Sequence, residues 1–126
     1  MSLSPPAAAL KAALEAKPGA VGEPLANRSA PGVTLYKVMG KMFAILTLHK
    51  TDSVIFKCDP HLAEILREQY AGVGHRSHLD RRFWISVTLD ADVPVEEILR
   101  MAAHSYELVS AGLTRKQKAE LAALAP

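Results

Sequence analysis

Cys58, His61, His75 and His78 stand as two pairs of the form x-x, thirteen residues apart, a spacing that resembles zinc ligation in small domains. Asp59-Pro60 breaks the first pair by turning the chain from strand into helix. The intervening residues then form most of a helix about 15–20 Å long, which holds the pairs apart. No metal is therefore expected: Cys58 reads as a small buried strand residue and the histidines lie outside the core. Gly40-Lys41 invites a phosphate loop, but Leu35 and Met42 occupy the places of its first glycine and its hydroxyl residue. Gly72-x-Gly74 lacks a third glycine and follows a helix. Cys58 precedes a helix N-terminus, a setting that depresses a thiol pKa, yet no base is positioned beside it. His104 and Ser105 are helix neighbours facing about 100° apart, which does not make a catalytic pair. The dipole of a helix start accounts for Glu96-Glu97. The sequence thus points to no catalytic residue, no cofactor and no small-molecule substrate, and a non-enzymatic protein is expected.

Basic residues with nearby aromatics are the signal that remains. Arg76, Arg81 and Arg82 lie against a single acid, Asp80, and run directly into Phe83-Trp84. Lys37, Lys41, Lys50 and Lys57 punctuate the first three strands, and no acid falls between Val33 and Thr51. Arg115, Lys116 and Lys118 add charge near the C-terminus. Basic hairpins suit phosphate contacts, although lysines on edge strands also guard against aggregation. Trp84 alternates away from Phe83, Ile85, Val87 and Leu89, which sets it on the open side of the sheet. There it would stack on a base or a partner, or lie under the Gly19–Gly32 loop or the C-terminal tail. If Tyr36 shared that side, the two rings would mark an association surface.

These residues are carried by an α+β arrangement. Ser4-Pro5 caps a first helix within residues 1–17, with Leu10, Ala13 and Leu14 on one stripe, and Pro18-Gly19 stops it. Gly19–Gly32 reads as a loop. Strands are predicted at Val33–Met39, Met42–Leu48 and Ser53–Cys58, with a polar break at 49–52, and the short connections make them antiparallel. A helix follows from His61 to Tyr70, with Leu62, Ile65, Leu66 and Gln69 or Tyr70 on its stripe. A short strand around Ser77–Leu79 precedes the clearest one, Phe83–Leu89. Pro94 opens a long helix to about Ala111, whose stripe runs through Ile98, Met101/Ala102, Ser105 and Leu108/Val109. Residues 114–126 form a tail or short helix. The expected fold is a two-layer sandwich: an antiparallel sheet of about five strands, helices on one face, order α-β3-α-β2-α, in a single domain over 1–126.

Composition excludes more than it identifies. Hydrophobic residues make up 49% and charged residues 22% of 126, the balance of an ordinary globular chain. One cysteine excludes an internal disulfide framework. No apolar run reaches membrane-spanning length, and the first residues lack the basic start and apolar stretch of a signal peptide. A cytoplasmic protein with no membrane partner is expected. The net charge of +2 is too small to announce a nucleic-acid binder, so any basic surface must come from uneven placement.

Tyr36-Lys37-Val38-x-Gly40-Lys41-Met42-Phe43-Ala44, Lys57-Cys58-Asp59-Pro60, His78-Leu79, the Trp84 strand and His104-Ser105-Tyr106-x-Leu108-Val109 follow one another in an order that resembles the YjbR/MmcQ family. The resemblance runs from about Pro18 to Leu113. It implies a fold similar to the frataxin (CyaY) and secretion-chaperone folds, and DNA binding through a double wing of hairpins. The matching positions imply contacts from Lys37, Lys41 and Lys57, with His78 and Trp84 nearby; Arg76, Arg81 and Arg82 join them as hairpin cations. Asp80 and Phe83 depart from the Asn and His common in the family, which removes donors and adds an acid beside Arg81 and Arg82. Frataxin-like iron binding does not transfer, because Glu15 is the only acid of the first helix. The expectation is weak, sequence-nonspecific DNA binding. The alternative is a protein-interaction or chaperone-like module, a homodimer for instance, using the open sheet face.

Overall fold

The computed structural model describes residues 3–25, 32–49 and 51–124. Helix α1 (Pro5–Ala16) starts where Ser4 Oγ accepts from the Ala7 amide, as its Ser-Pro start predicts. Strands β1 (Ala20–Pro24), β2 (Val33–Val38), β3 (Lys41–His49) and β4 (Thr51–Lys57) follow. Then come α2 (Pro60–Gln69), β5 (Val73–Gly74), β6 (Trp84–Thr88), α3 (Val95–Ala111) and α4 (Arg115–Leu124). All strand pairs are antiparallel, in the order β1-β2-β3-β4-β6-β5. The α+β class and antiparallel sheet are as expected, with six strands among the described residues rather than about five.

The extra strand is β1, inside the stretch read as a loop. Four of its five residues are exposed, so it carries no alternating apolar signal. Its ladder to β2 alone defines it, and Pro24 is tolerated because the strand lies at the sheet edge. Residues 26–31 of that predicted loop, and Lys50, lie outside the described residues. The strand expected around Ser77–Leu79 is instead an irregular turn, and the sheet edge is formed by Val73–Gly74. His49, Thr51 and Asp52, read as part of a break, belong to the ladder, with Leu48 opposite Asp52 and His49 opposite Thr51.

Alternation assigns the two faces. Tyr36, Ala44, Phe56 and Ile85 are register partners across four strands, as are Leu46, Val54 and Val87, and all are buried. Helices α1 and α3 pack on this side, α3 through Ile98, Met101, Ala102, Ser105 and Val109; of the predicted stripe, Leu108 is only half-buried. Leu62 and Leu66 of α2 line a groove with Met101 and His104 of α3, so α2 joins the same layer. Ile65 is 43% exposed, and Ala63 takes its place in the core. Tyr36 also belongs to the helix side: it is buried and its hydroxyl donates to Glu15 of α1 at 3.0 Å. It therefore shares no face with Trp84, and the two-ring patch does not exist. Phe83 is not on the core face either; it sits in the turn before β6, 37% exposed, under the Arg82 guanidinium.

A bulge between β2 and β3 matters for side-chain direction. Tyr36 faces Ala44, but Lys37 faces Met42, leaving Phe43 extra. Phe43 and Ala44 are both buried as a result, and Phe43 meets Tyr106 of α3 edge-on.

Candidate nucleic-acid interface

The face opposite the helices carries Val33, Leu35 and Lys37 of β2, Met42 and Ile45 of β3, Ile55 and Lys57 of β4, and Trp84 of β6. All of these are half-buried. Lys57 and Trp84 are direct register partners there. Among the described residues, no carboxylate lies within ion-pair distance of Lys57. Lys37, two strands away, is ion-paired to Glu23 of β1 at 3.0 Å.

After β5 the chain turns over this face. Arg76, Ser77, His78 and Leu79 form one wall of a cavity of about 750 Å³ whose other wall is Val33 and Ile45. The turn holds its shape locally: the Leu79 amide donates to Ser77 Oγ, and the His75 ring bonds the Leu79 carbonyl oxygen. Ser86, on the open side of β6, is buried although its partner Ile55 is not.

The eight basic and aromatic residues singled out from the sequence thus fall into three groups rather than one. Lys37, Lys57, Trp84, Arg76 and His78 share the open face. Lys41 turns to the helix side, where its ammonium donates to the Gly112 carbonyl at 3.2 Å, at the end of α3 where a cation is favoured. Arg81 and Arg82 line a groove with Pro60, Glu64, Arg67 and Glu68 of α2. Arg82 is further engaged by Asp80, through two bonds from its guanidinium and one from its amide. Those bonds hold the Asp80 carboxyl down at about 2. Lys37, Lys41, Arg76, Arg81 and Arg82 therefore do not share one face.

Cys58 is buried, and burial, with the neighbouring Asp59 charge, pushes its thiol up to about 11. Position ahead of α2 does not activate it, because burial is the largest influence on the thiol. Asp59 caps α2, its carboxylate accepting from the Leu62 amide, and its own amide donates to His104 Nε2. Among the described residues, no three His, Cys, Asp or Glu side chains are grouped to hold a metal ion.

Two positioning residues escaped the sequence. Arg67 donates through Nη2 to the carbonyls of Arg81 and Trp84, at 2.7 and 2.9 Å, and so fixes the turn that delivers Trp84. Ser105 is fully buried, and its hydroxyl accepts from the Lys57 amide at 2.8 Å and donates to the Phe43 carbonyl at 2.6 Å. Phe43 and Lys57 would be the next pair after Ala44–Phe56 in the β3–β4 ladder. The serine is a wedge that holds the strand ends apart while satisfying both. Only its place on the α3 stripe was visible beforehand.

The family model described as YjbR matches residues 15–108, three quarters of the chain. The chain belongs to the YjbR family. The uncharacterised protein YjbR of Escherichia coli K12 is 33% identical over 75 residues, as is its counterpart from strain O157:H7. The match covers 59% of this chain and 64% of the length of those curated relatives. A crystal structure from Deinococcus radiodurans with a DUF419 domain superposes with a TM-score of 0.80 at 26% identity, covering 95% of this chain and 92% of that one. A Pseudomonas syringae protein shares the fold, with a TM-score of 0.67 at 19% identity over 80% and 95% of the two chains. The sequence resemblance named the same family. Among the described residues, no helix is long and apolar enough to cross a membrane.

Proposed function

We propose that this YjbR-family chain is a non-enzymatic, cytoplasmic DNA-binding protein that makes weak, sequence-nonspecific contacts across the open face of its sheet. The observation that carries this is the Lys57–Trp84 pair: among the described residues, a cation without an acidic partner, beside an aromatic ring, on the face opposite the helices. Phosphates take the charge, and exposed bases or sugars take the ring. Arg76 and His78 extend the surface at the far wall of the cavity, and Lys37 joins when a phosphate displaces Glu23. Arg81, Arg82 and Lys41 lie off this surface and contribute little. Trp84 is the sole tryptophan, so its emission reports on the face directly. Titration with mixed-sequence DNA at low salt should change that emission in step with the anisotropy of labelled DNA. Binding that leaves the emission untouched would move the site elsewhere.

The half-exposed row Leu35, Ile45 and Ile55 on the same face favours a second reading, a homodimer or protein-interaction module. A stable dimer in sedimentation that ignores DNA would select it.

A further inference from the structure

On the helix side, the groove between α2 and the turn before β6 has a volume of about 380 Å³, the size of a small-ligand site. Its lining is unusual in its charges. Arg67 and Arg81 supply guanidiniums, Glu64 and Glu68 supply carboxylates, and none of the four forms an ion pair among the described residues. Arg82, also at the rim, is already neutralised by Asp80. Opposite charges that line one cavity without meeting leave room for something that satisfies both. The Arg67 head is held still by its two carbonyl bonds, and its enclosed Nε–H has no acceptor among the described residues. Burial and the nearby Arg81 charge both lower the Arg67 pKa, and the Glu64 carboxylate, near but not ion-paired, offsets them only in part.

We propose that this groove binds a small zwitterion, a free amino acid or dipeptide, whose carboxylate lies between Arg67 and Arg81 and whose ammonium faces Glu64 and Glu68. A bare anion would meet the two carboxylates, and a bare cation the two guanidiniums; a ligand bearing both charges meets neither penalty. The groove is separate from the open face, so the outcome is independent of DNA binding.

The test uses the whole labelled chain in an NMR titration with the dipeptide Ala-Ala, followed at the Arg67 Nε–H and the α2 amides. Saturation in the millimolar range is expected, below about 50 mM. N-acetyl-Ala-Ala and Ala-Ala amide, which each lack one charge, should bind at least about tenfold more weakly. Arg81→Gln and Glu64→Gln alter exposed side chains, and each should weaken Ala-Ala by a similar factor while leaving the thermal midpoint unchanged. Absence of saturation with Ala-Ala overturns the proposal, as does a blocked dipeptide that binds equally well or an insensitive pair of variants.

Discussion

Ser105→Ala removes one oxygen from the middle of the fold, and its cost can be worked from the wedge geometry. Two backbone groups lose their partner together: the Lys57 amide, 2.8 Å from Oγ, and the Phe43 carbonyl, 2.6 Å from it. Leaving a buried polar group unsatisfied costs about 1–3 kcal/mol, and the Lys57 amide is only partly buried, so about 2–4 kcal/mol is expected in all. That is a large share of the roughly 5–15 kcal/mol that holds a domain together. For a chain of this length it corresponds to a fall of roughly 8–16 °C in the thermal midpoint. Differential scanning calorimetry on the wild type and the variant measures it. Ser105→Cys, with a weaker donor and acceptor in the same place, should fall between the two. The instructive failure is a shift below about 2 °C. It would mean that β3 closes on β4 and that Phe43 bonds Lys57 directly, so that the serine merely occupies a gap the ladder can heal.

Asp92 accepts from the Ala71 and Gly72 amides, both at 2.7 Å, and these bonds lower its pKa. A carboxylate depressed on folding stabilises fully above its unfolded value, and the contribution fades as pH falls toward the folded one. The wild type should therefore melt above Asp92→Asn at pH 7, and the gap should narrow below about pH 4 in thermal melts of both. Cys58, with its thiol raised to about 11, should resist an aromatic disulfide reagent at pH near 8 in the native state and react once urea unfolds the chain. Rapid native labelling would show that the burial of Cys58 is wrong.

The fold was legible where its physics is local or periodic. Ser4-Pro5 and Asp59-Pro60 declared two helix starts, and the α3 stripe named the buried face of that helix except at Leu108, which is only half-buried. Strand β1 was invisible because an exposed edge strand is defined by its neighbour's hydrogen bonds, not by its own pattern. Ile65 and Phe83 look like core by composition and spacing, but α2 and the turn before β6 present them outward. At the candidate interface, alternation placed Trp84 on the open side as reasoned. It also sends Lys37 outward from the bulge, whereas Lys41 folds back onto Gly112, a separation that depends on the register of β2 against β3. Charge counts along the chain cannot show that Asp80 occupies Arg82, that Glu23 occupies Lys37, or that Arg81 faces α2. Pairings at a distance decide which cations are free.

The salt dependence of DNA binding tests the open-face account most directly. Lys57 and Arg76, with Lys37 as a third when it leaves Glu23, give two or three phosphate contacts. The expected slope of log affinity against log salt is then about −2 to −3, at affinities near 10⁻⁴–10⁻⁶ M. Lys57→Gln should flatten it by about one unit on unrelated sequences alike, while the joint Arg81→Gln, Arg82→Gln variant should leave it unchanged. A slope that flattens only when Arg81 and Arg82 are neutralised would place the contacts on the α2 groove. No binding at low salt, with protein approaching a millimolar, would contradict DNA binding altogether.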